Sequence, residues 1–274
     1  MIPLVVLDLD GTIVGASGLV QECVWEAAAR ARDAGIKIAV CTGRPGFGVA
    51  QRIAQRLGPD NPHVFQNGAY LGYPDGRTVK AVALKDDALH QIIEVSRQRG
   101  VVLELYTPNS LYVERTTDLS EAHASMIGVT AIVRDLEDVV ATEPVVRAQW
   151  VLPAGDYPGL AEAAPAGVQL SPATSPALRG IAFVSITRTG VSKASAVKQL
   201  AEQMRIDLTD VMGVGDSHND LPMLGVVGHP RVMANAAPEL LELYASVGDV
   251  EECGVVPALE EAMGVNGGLL HSHA

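Results

Sequence analysis

Apolar residues run continuously from Leu4 to Leu7 and stop at Asp-Leu-Asp-Gly-Thr, the pattern of a strand buried on both faces that ends in a tight loop. Helical spacing follows: Val20, Cys23, Val24, Ala27 and Ala31 share one face and predict a helix from Val20 to Ala34, stopped by Gly35. A second apolar run, Ile36 to Cys41, meets the loop Thr42-Gly43-Arg44-Pro45. A helix to about Leu57 comes next, closed by Gly58-Pro59. Val64-Phe65 and Asn67-Gly68 read as the end of a third strand, and Pro74-Asp75-Gly76 as the turn of a hairpin between Leu71 and Val79. Strand alternating with helix predicts an α/β fold with a doubly wound parallel sheet, whose ligands bind beyond the carboxyl ends of the strands.

The pattern then changes for about a hundred residues. From Ala81 to Ile186 it predicts a helix (Lys85 to Arg99) and strands at Val101 to Tyr106, Leu111 to Val113, Val145 to Leu152 and Ile181 to Ile186. The Pro- and Ala-rich stretch Pro153 to Ala177 reads as loop. Beyond Gly190 the first pattern returns, with a helix from Lys193 to Met204, a strand from Val211 to Val214, and closing helices at Glu239 to Tyr244 and Pro257 to Met263. Gly264 to Ala274 is expected to fray. The expected organisation is a core of residues 1–80 and 187–274 interrupted by an α+β cap domain, residues 81–186.

Composition narrows the class without choosing a function. The chain has 274 residues, 48% of them hydrophobic and only 4% aromatic, so an ordinary globular fold with a mostly aliphatic core is expected. The apolar start is cut by Asp8 and Asp10 and has no basic flank, which argues against a secretory signal. No uncharged apolar run approaches the roughly 20 residues that a membrane helix needs. A cytoplasmic protein without membrane contact is expected. Cys23, Cys41 and Cys253 are isolated and odd in number, arguing against a disulfide framework or a zinc cluster and for buried small hydrophobes. With 32 acidic and 20 basic residues the net charge is −12 and no basic stretch stands out, so nucleic acid is excluded as a partner. Oligomeric state is left open.

The chemistry lies at the strand ends. Asp8 and Asp10 flank Leu9, which can turn to the core while both carboxylates reach one pocket, and Gly11 allows the turn. By itself the pair also fits an acidic loop that only solvates a strand end. A second cluster, Gly215-Asp216-Ser217-His218-Asn219-Asp220, follows the strand at Val211 and brings two more carboxylates to the same edge. Four acids there repel one another unless a hard cation with an oxygen shell, Mg²⁺, sits between them. A phosphoryl group could then approach, held by the Thr42 hydroxyl, amides of the loop at Gly43, and the charge of Lys193. Lys193 opens a helix, where a cation opposes the macrodipole and has no evident structural purpose, although a solvated helix-start residue fits the position too.

Asp8-Leu9-Asp10-Gly11-Thr12, Thr42-Gly43-Arg44, Gly190-Val191-Ser192-Lys193 and Gly215-Asp216-Ser217-His218-Asn219-Asp220 resemble, in order and context, the motifs of the haloacid dehalogenase-like (HAD) superfamily. They look most like its Cof-like sugar-phosphatase branch. Phe65-Gln66-Asn67-Gly68-Ala69 and Met233-Ala234-Asn235-Ala236 are similar to that branch as well. The resemblance implies a Rossmann-like core and a Mg²⁺-dependent phosphatase acting through an aspartyl phosphate. Asp8 would be nucleophile and metal ligand, and Asp10 the acid and base, giving its backbone carbonyl to the metal. Asp216 would be the third ligand. Thr42, Gly43, Lys193 and Asn219 would bind phosphate with help from Arg44, and Asp220 would orient Lys193. Ala194 and Ser185 depart from the branch, where glycine and an acidic residue are common, and this puts in doubt a match to a characterised substrate. His218 is expected to be a solvent-facing loop residue.

The core motifs recognise only a phosphoryl group, so the cap is expected to select a small phosphorylated sugar or polyol. Tyr106, Asn109, Tyr112 and Arg115 surround one strand–turn–strand of the cap and are candidate substrate contacts, although ordinary hairpin surface fits them equally. Two alternatives keep the same site: a phosphomutase, and a catalytically silent phospholigand-binding protein.

Overall fold

The computed structural model describes residues 1–175 and 178–264. The chain runs through β1 (Leu4–Leu7), α1 (Glu22–Asp33), β2 (Lys37–Val40), α2 (Val49–Leu57), β3 (His63–Phe65), β4 (Tyr70–Gly72) and β5 (Thr78–Ala81). It continues with α3 (Asp86–Arg99), β6 (Val102–Tyr106), β7 (Leu111–Val113), α4 (Asp118–Met126), β8 (Ala131–Val133), α5 (Leu136–Thr142), β9 (Arg147–Pro153), α6 (Tyr157–Ala161), β10 (Val168–Ser175) and β11 (Leu178–Arg188). Then come α7 (Lys193–Met204), β12 (Val211–Gly215), α8 (Leu221–Leu224), β13 (His229–Val232), α9 (Pro238–Leu243) and α10 (Val256–Met263).

The central sheet has the order β13-β12-β1-β2 and every pairing is parallel. Alternate residues of β1 enter different cores. Val5 and Leu7 pack with α1, α2 and α10, whereas Leu4 and Val6 pack with α7 and α8. A sheet covered on both faces needs apolar residues at every position, which explains the uninterrupted run in the sequence. Strands β3, β4 and β5 form an antiparallel sheet that carries the expected hairpin, and Val64 bridges to Cys41 at the edge of β2.

The second large sheet has the order β10-β11-β9-β6-β7-β8. One face packs Leu103, Leu105, Ala148 and Trp150 with residues of α3 and α5 into a separate apolar core. The stretch read as loop between Pro153 and Ala177 instead contains α6 and the long strand β10. β10 lies at the sheet edge, where Pro172 has no outer ladder bond to lose, so a proline that argued against a strand is tolerated there. The fraying expected for the C-terminus falls on residues 265–274, outside the described residues, while Gly264 caps α10 in a left-handed conformation.

The cysteine expectation needs correcting. Cys23 and Cys253 form a disulfide, with Cα atoms 6.2 Å apart across 230 positions. They are isolated in the sequence, but Gln21 donates to the carbonyls of Val250 and Glu251 at 3.1 and 2.8 Å, which brings the start of α1 against that turn. Cys41 is a free buried thiol, as expected. Among the described residues no helix is long and apolar enough to cross a membrane.

Candidate active site

Backbone pairing sets the site at the carboxyl edge of the central sheet. The Asp8 amide donates to Val214 at 3.0 Å, the Cys41 amide to Leu7 at 2.8 Å and the Thr42 amide to Val64 at 3.0 Å, so the three motif loops leave the sheet side by side. Ser192 and Ser195 cap α7 reciprocally and fix the helix start that carries Lys193. Gly68, at φ +101°, lets its turn press on that start, since a Cβ there would lie 2.3 Å from the Ser192 carbonyl.

Lys193 is only 2% exposed, which removes the solvated helix-start alternative. Its Nζ donates to Asp8 Oδ1 at 2.7 Å and to Asp220 Oδ1 at 2.6 Å. Asp220 in turn accepts from the amides of Asp216 and Ser217 at 3.0 and 3.1 Å, so its carboxylate is fully engaged. Burial pushes the Asp8 carboxyl well above its usual range, with Lys193 opposing. Burial alone would lower Lys193, but Asp8 and Asp220 outweigh it and raise the ammonium.

Asp8, Asp216 and Asp220 each offer an oxygen, all within 4.8 Å of one another. Asp216 is raised to about 6, chiefly by burial and next by Asp220, although Thr12 donates to it at 3.2 Å. Gly11 makes this approach possible, because a Cβ at that position would meet Asp216 Oδ2 at 2.2 Å. Asp8 and Asp216 therefore present carboxylate oxygens in a crowded, electron-rich corner, a donor set that fits a hard divalent cation.

Asp10 does not join this cluster. Its side chain is 57% exposed and faces Arg44, whose Nε donates to Oδ2 at 2.9 Å and whose Nη2 donates to Oδ1 at 2.5 Å. Leu9 turns into the core as expected, but the sharp turn at Gly11 leaves Asp10 on the rim. Thr42 is buried and its hydroxyl accepts from the Arg44 amide at 3.1 Å. Asn219 is exposed at the mouth and accepts from Ser217 at 2.8 Å. His218 is exposed, 3.6 Å from Glu239, as its loop position suggested.

The four cap candidates do not come together. Tyr106 is buried over the site, but Tyr112 pairs with Leu105 and so lies on the opposite face, where its hydroxyl donates to Glu143 at 2.6 Å. Strand alternation separates what adjacency in the sequence suggested. Asn109 is exposed at the turn, and Arg115 borders a cavity of about 150 Å³ on the outer face, near α3. Arg147 and Thr107 make polar contacts with the core, beside an apolar contact of Phe47 with Tyr106, Leu111 and Ile127. Arg147 Nη1 donates to the Gly43 carbonyl at 2.7 Å, and the Thr107 carbonyl accepts from Gln66 at 3.1 Å. Arg147 and Gln149 alternate with apolar residues in β9, and this was the signal in the sequence that could have revealed them.

A parallel sheet wound on both faces, an acidic cluster at its carboxyl edge and a second sheet resting on the same loops define a capped α/β enzyme. The family model of haloacid dehalogenase-like hydrolases matches residues 5–259, and the chain belongs to this family. It is 27% identical over 254 residues to YxeH of Bacillus subtilis, covering 88% of this chain and 91% of that one. It is 25% identical over 260 residues to the 5-amino-6-(5-phospho-D-ribitylamino)uracil phosphatase YwtE of Bacillus subtilis, covering 87% and 90%. Among solved structures, the HAD subclass IIB sugar phosphatase BT4131 shares the fold, with a TM-score of 0.77 at 18% identity, covering 96% of this chain and 99% of that one.

Proposed function

We propose that the chain is a Mg²⁺-dependent phosphatase that hydrolyses small phosphate monoesters, of sugar or polyol type, through an aspartyl phosphate on Asp8. The observation that carries this is the buried Lys193, which bridges Asp8 and Asp220 while Asp216 stands beside them. Asp8, the Asp10 carbonyl and Asp216 would hold Mg²⁺, which when bound would neutralise charge between carboxylate and phosphoryl oxygens. The names of YwtE and BT4131, acting on a phosphorylated ribityl compound and on sugar phosphates, support the substrate class.

Asp8 attacks phosphorus as the ester P–O bond breaks, and Asp10 gives its proton to the departing alkoxide. To do so Asp10 must leave Arg44, which frees the guanidinium for a phosphoryl oxygen. Water then attacks the aspartyl phosphate, Asp10 takes its proton, and orthophosphate leaves with Asp8 restored. Lys193, the Thr42 hydroxyl, the loop at Gly43 and Asn219 hold phosphoryl oxygens, while Asp220 keeps Lys193 aimed. Residues 81–186 act as the cap that selects the leaving group and excludes water, with 1–80 and 187–274 as the core.

The test is phosphate release from a panel of phosphate monoesters with Mg²⁺, with excess chelator, and after Mg²⁺ is restored. Reversible loss on chelation is expected. Full activity in excess chelator, or none on any monoester with Mg²⁺, would refute the proposal.

A further inference from the structure

Alternation along β6 and β9 sends Glu104, Tyr106, Arg147 and Gln149 to the cap face that meets the core, opposite the apolar face under α3 and α5. Arg147 is 4% exposed, and its guanidinium lies 3.9 Å from the centre of the Tyr106 ring. Nη1 is held by the Gly43 carbonyl, but Nε is buried without a partner. Glu104, the acid on this face, is committed elsewhere. It accepts from Tyr106 at 2.7 Å and from Gln149 at 3.0 Å, and it faces His123 at 2.9 Å.

Two acceptors beside the same loop also lack partners, Gln66 Oε1 and Asn67 Oδ1. Asn67 Oδ1 is 3.1 Å from where a Cβ on Gly43 would sit. Gln66 and Asn67 both adopt left-handed conformations, φ 53° and 55°, so strained backbone holds these side chains in place. Burying the guanidinium Nε and two amide oxygens without partners is unfavourable, and a ligand that supplies a negative oxygen and hydroxyl protons would relieve it. On the proposed assignment the transferred phosphoryl group is held by Lys193, Thr42 and Asn219, so it is not needed to fill that role.

On the phosphatase reading above, we infer that Arg147 is a specificity residue that recognises a second anionic group, a carboxylate or a further phosphate, on the leaving group. Gln66 and Asn67 accept hydrogen bonds from hydroxyls next to that group. The substrate enters as the cap lifts from Gly43. On closure Nη1 returns to the carbonyl and Nε takes the anionic oxygen. The preferred substrates are therefore phosphorylated sugar acids or sugar bisphosphates rather than neutral polyol phosphates.

The experiment measures kcat/KM of the intact enzyme with Mg²⁺ on two matched pairs. 3-Phosphoglycerate against glycerol 3-phosphate isolates the carboxylate, and fructose 1,6-bisphosphate against fructose 6-phosphate isolates the second phosphate. An aryl phosphate is run alongside. The charged member of at least one pair is expected to win by about tenfold or more, and the winning pair identifies the anion. A net charge of −12 disfavours the charged member in the absence of a dedicated cation, so such a preference is diagnostic. Arg147→Gln is expected to bring the ratio close to one by raising KM for the charged member, and Arg147→Lys to restore part of it. Hydrolysis of the aryl phosphate with no preference in either pair, or a preference that survives in Arg147→Gln, overturns the inference alone. Failure on every substrate, the aryl phosphate included, overturns the phosphatase reading and the inference with it. Equal wild-type ratios overturn the inference by themselves, and Arg147→Lys supplies a second variant if Arg147→Gln does not fold, with a ratio unchanged from the wild type counting against Arg147.

Discussion

Lys193 lies between two carboxylates with 1% of its side chain exposed, so its charge is desolvated and compensated by Asp8 and Asp220. Lys193→Met removes the one cation of that triad. It is expected to cost about 3–5 kcal/mol of unfolding free energy in denaturant titration as well as turnover, because two buried carboxylates are left facing each other. A loss under about 1 kcal/mol would mean that the triad is not a coupled unit. The residues of this triad were legible in the sequence, because each follows an apolar run and belongs to a chemical type that a strand end rarely needs. Asp10 was legible only as a motif member. Its partner Arg44 depends on how the turn at Gly11 aims the side chain, which residue spacing does not encode. Arg147 went unread because its alternation with Gln149 marks a polar strand face, and which loop that face meets is not encoded in the spacing.

At the scale of elements, His63 joins the end of β2 to the end of α2. Its Nδ1 accepts from the Val40 amide at 3.0 Å and its Nε2 donates to the Gly58 carbonyl at 2.8 Å. A proton added at Nδ1 would face an N–H, and burial lowers the imidazole to about 4 from the usual 6.5. The folded state thus binds this proton less readily than the unfolded chain. The resulting stability is present above about pH 6.5 and is lost as pH falls toward 4, up to about 3 kcal/mol. Denaturation from pH 7.5 to 4.5 should show this slope in the wild type and a shallower one in His63→Gln. Equal slopes would contradict it.

The disulfide acts on another pair of elements. It ties α1 to the turn whose Val250 amide donates to Asn235 at 2.9 Å, and Asn235 donates to the Gly11 carbonyl at 2.8 Å. Reductant, or Cys23→Ser, should lower the unfolding free energy by about 2–5 kcal/mol. An unchanged denaturation midpoint would show that the link carries no stability. Helices and strands with clean periodicity were legible to within a few residues. β10 was not, since its edge position is what makes Pro172 acceptable. The cysteine pairing was not either, since 230 residues of separation reveal nothing about closure.

For the whole molecule, the alternation of patterns along the chain made the doubly wound sheet and the inserted segment legible. The face that the inserted sheet turns to the core was not legible, because strand register decides it. The two parts meet through Arg147 on Gly43 and Gln66 on the Thr107 carbonyl, and through an apolar contact in which Phe47 packs with Tyr106, Leu111 and Ile127 while Val129 lies against Gly48. Replacing residues 81–186 by a short linker should leave Mg²⁺-dependent hydrolysis of an aryl phosphate and abolish discrimination among sugar phosphates, read as the spread of kcat/KM across a panel. A core that kept the intact enzyme's order of preference would show that selection lies elsewhere.

The central claim is that phosphate passes through Asp8. Its most direct test is acid quenching of the enzyme during turnover with Mg²⁺ and substrate, followed by mass spectrometry of the peptide that contains Asp8. A phosphoryl group on Asp8 is expected, absent with chelator, and Asp8→Asn should form none and release phosphate at least about 10⁴-fold more slowly while melting as the wild type does. Phosphate release at the wild-type rate by Asp8→Asn, or a phosphoryl group on another residue, would contradict the account.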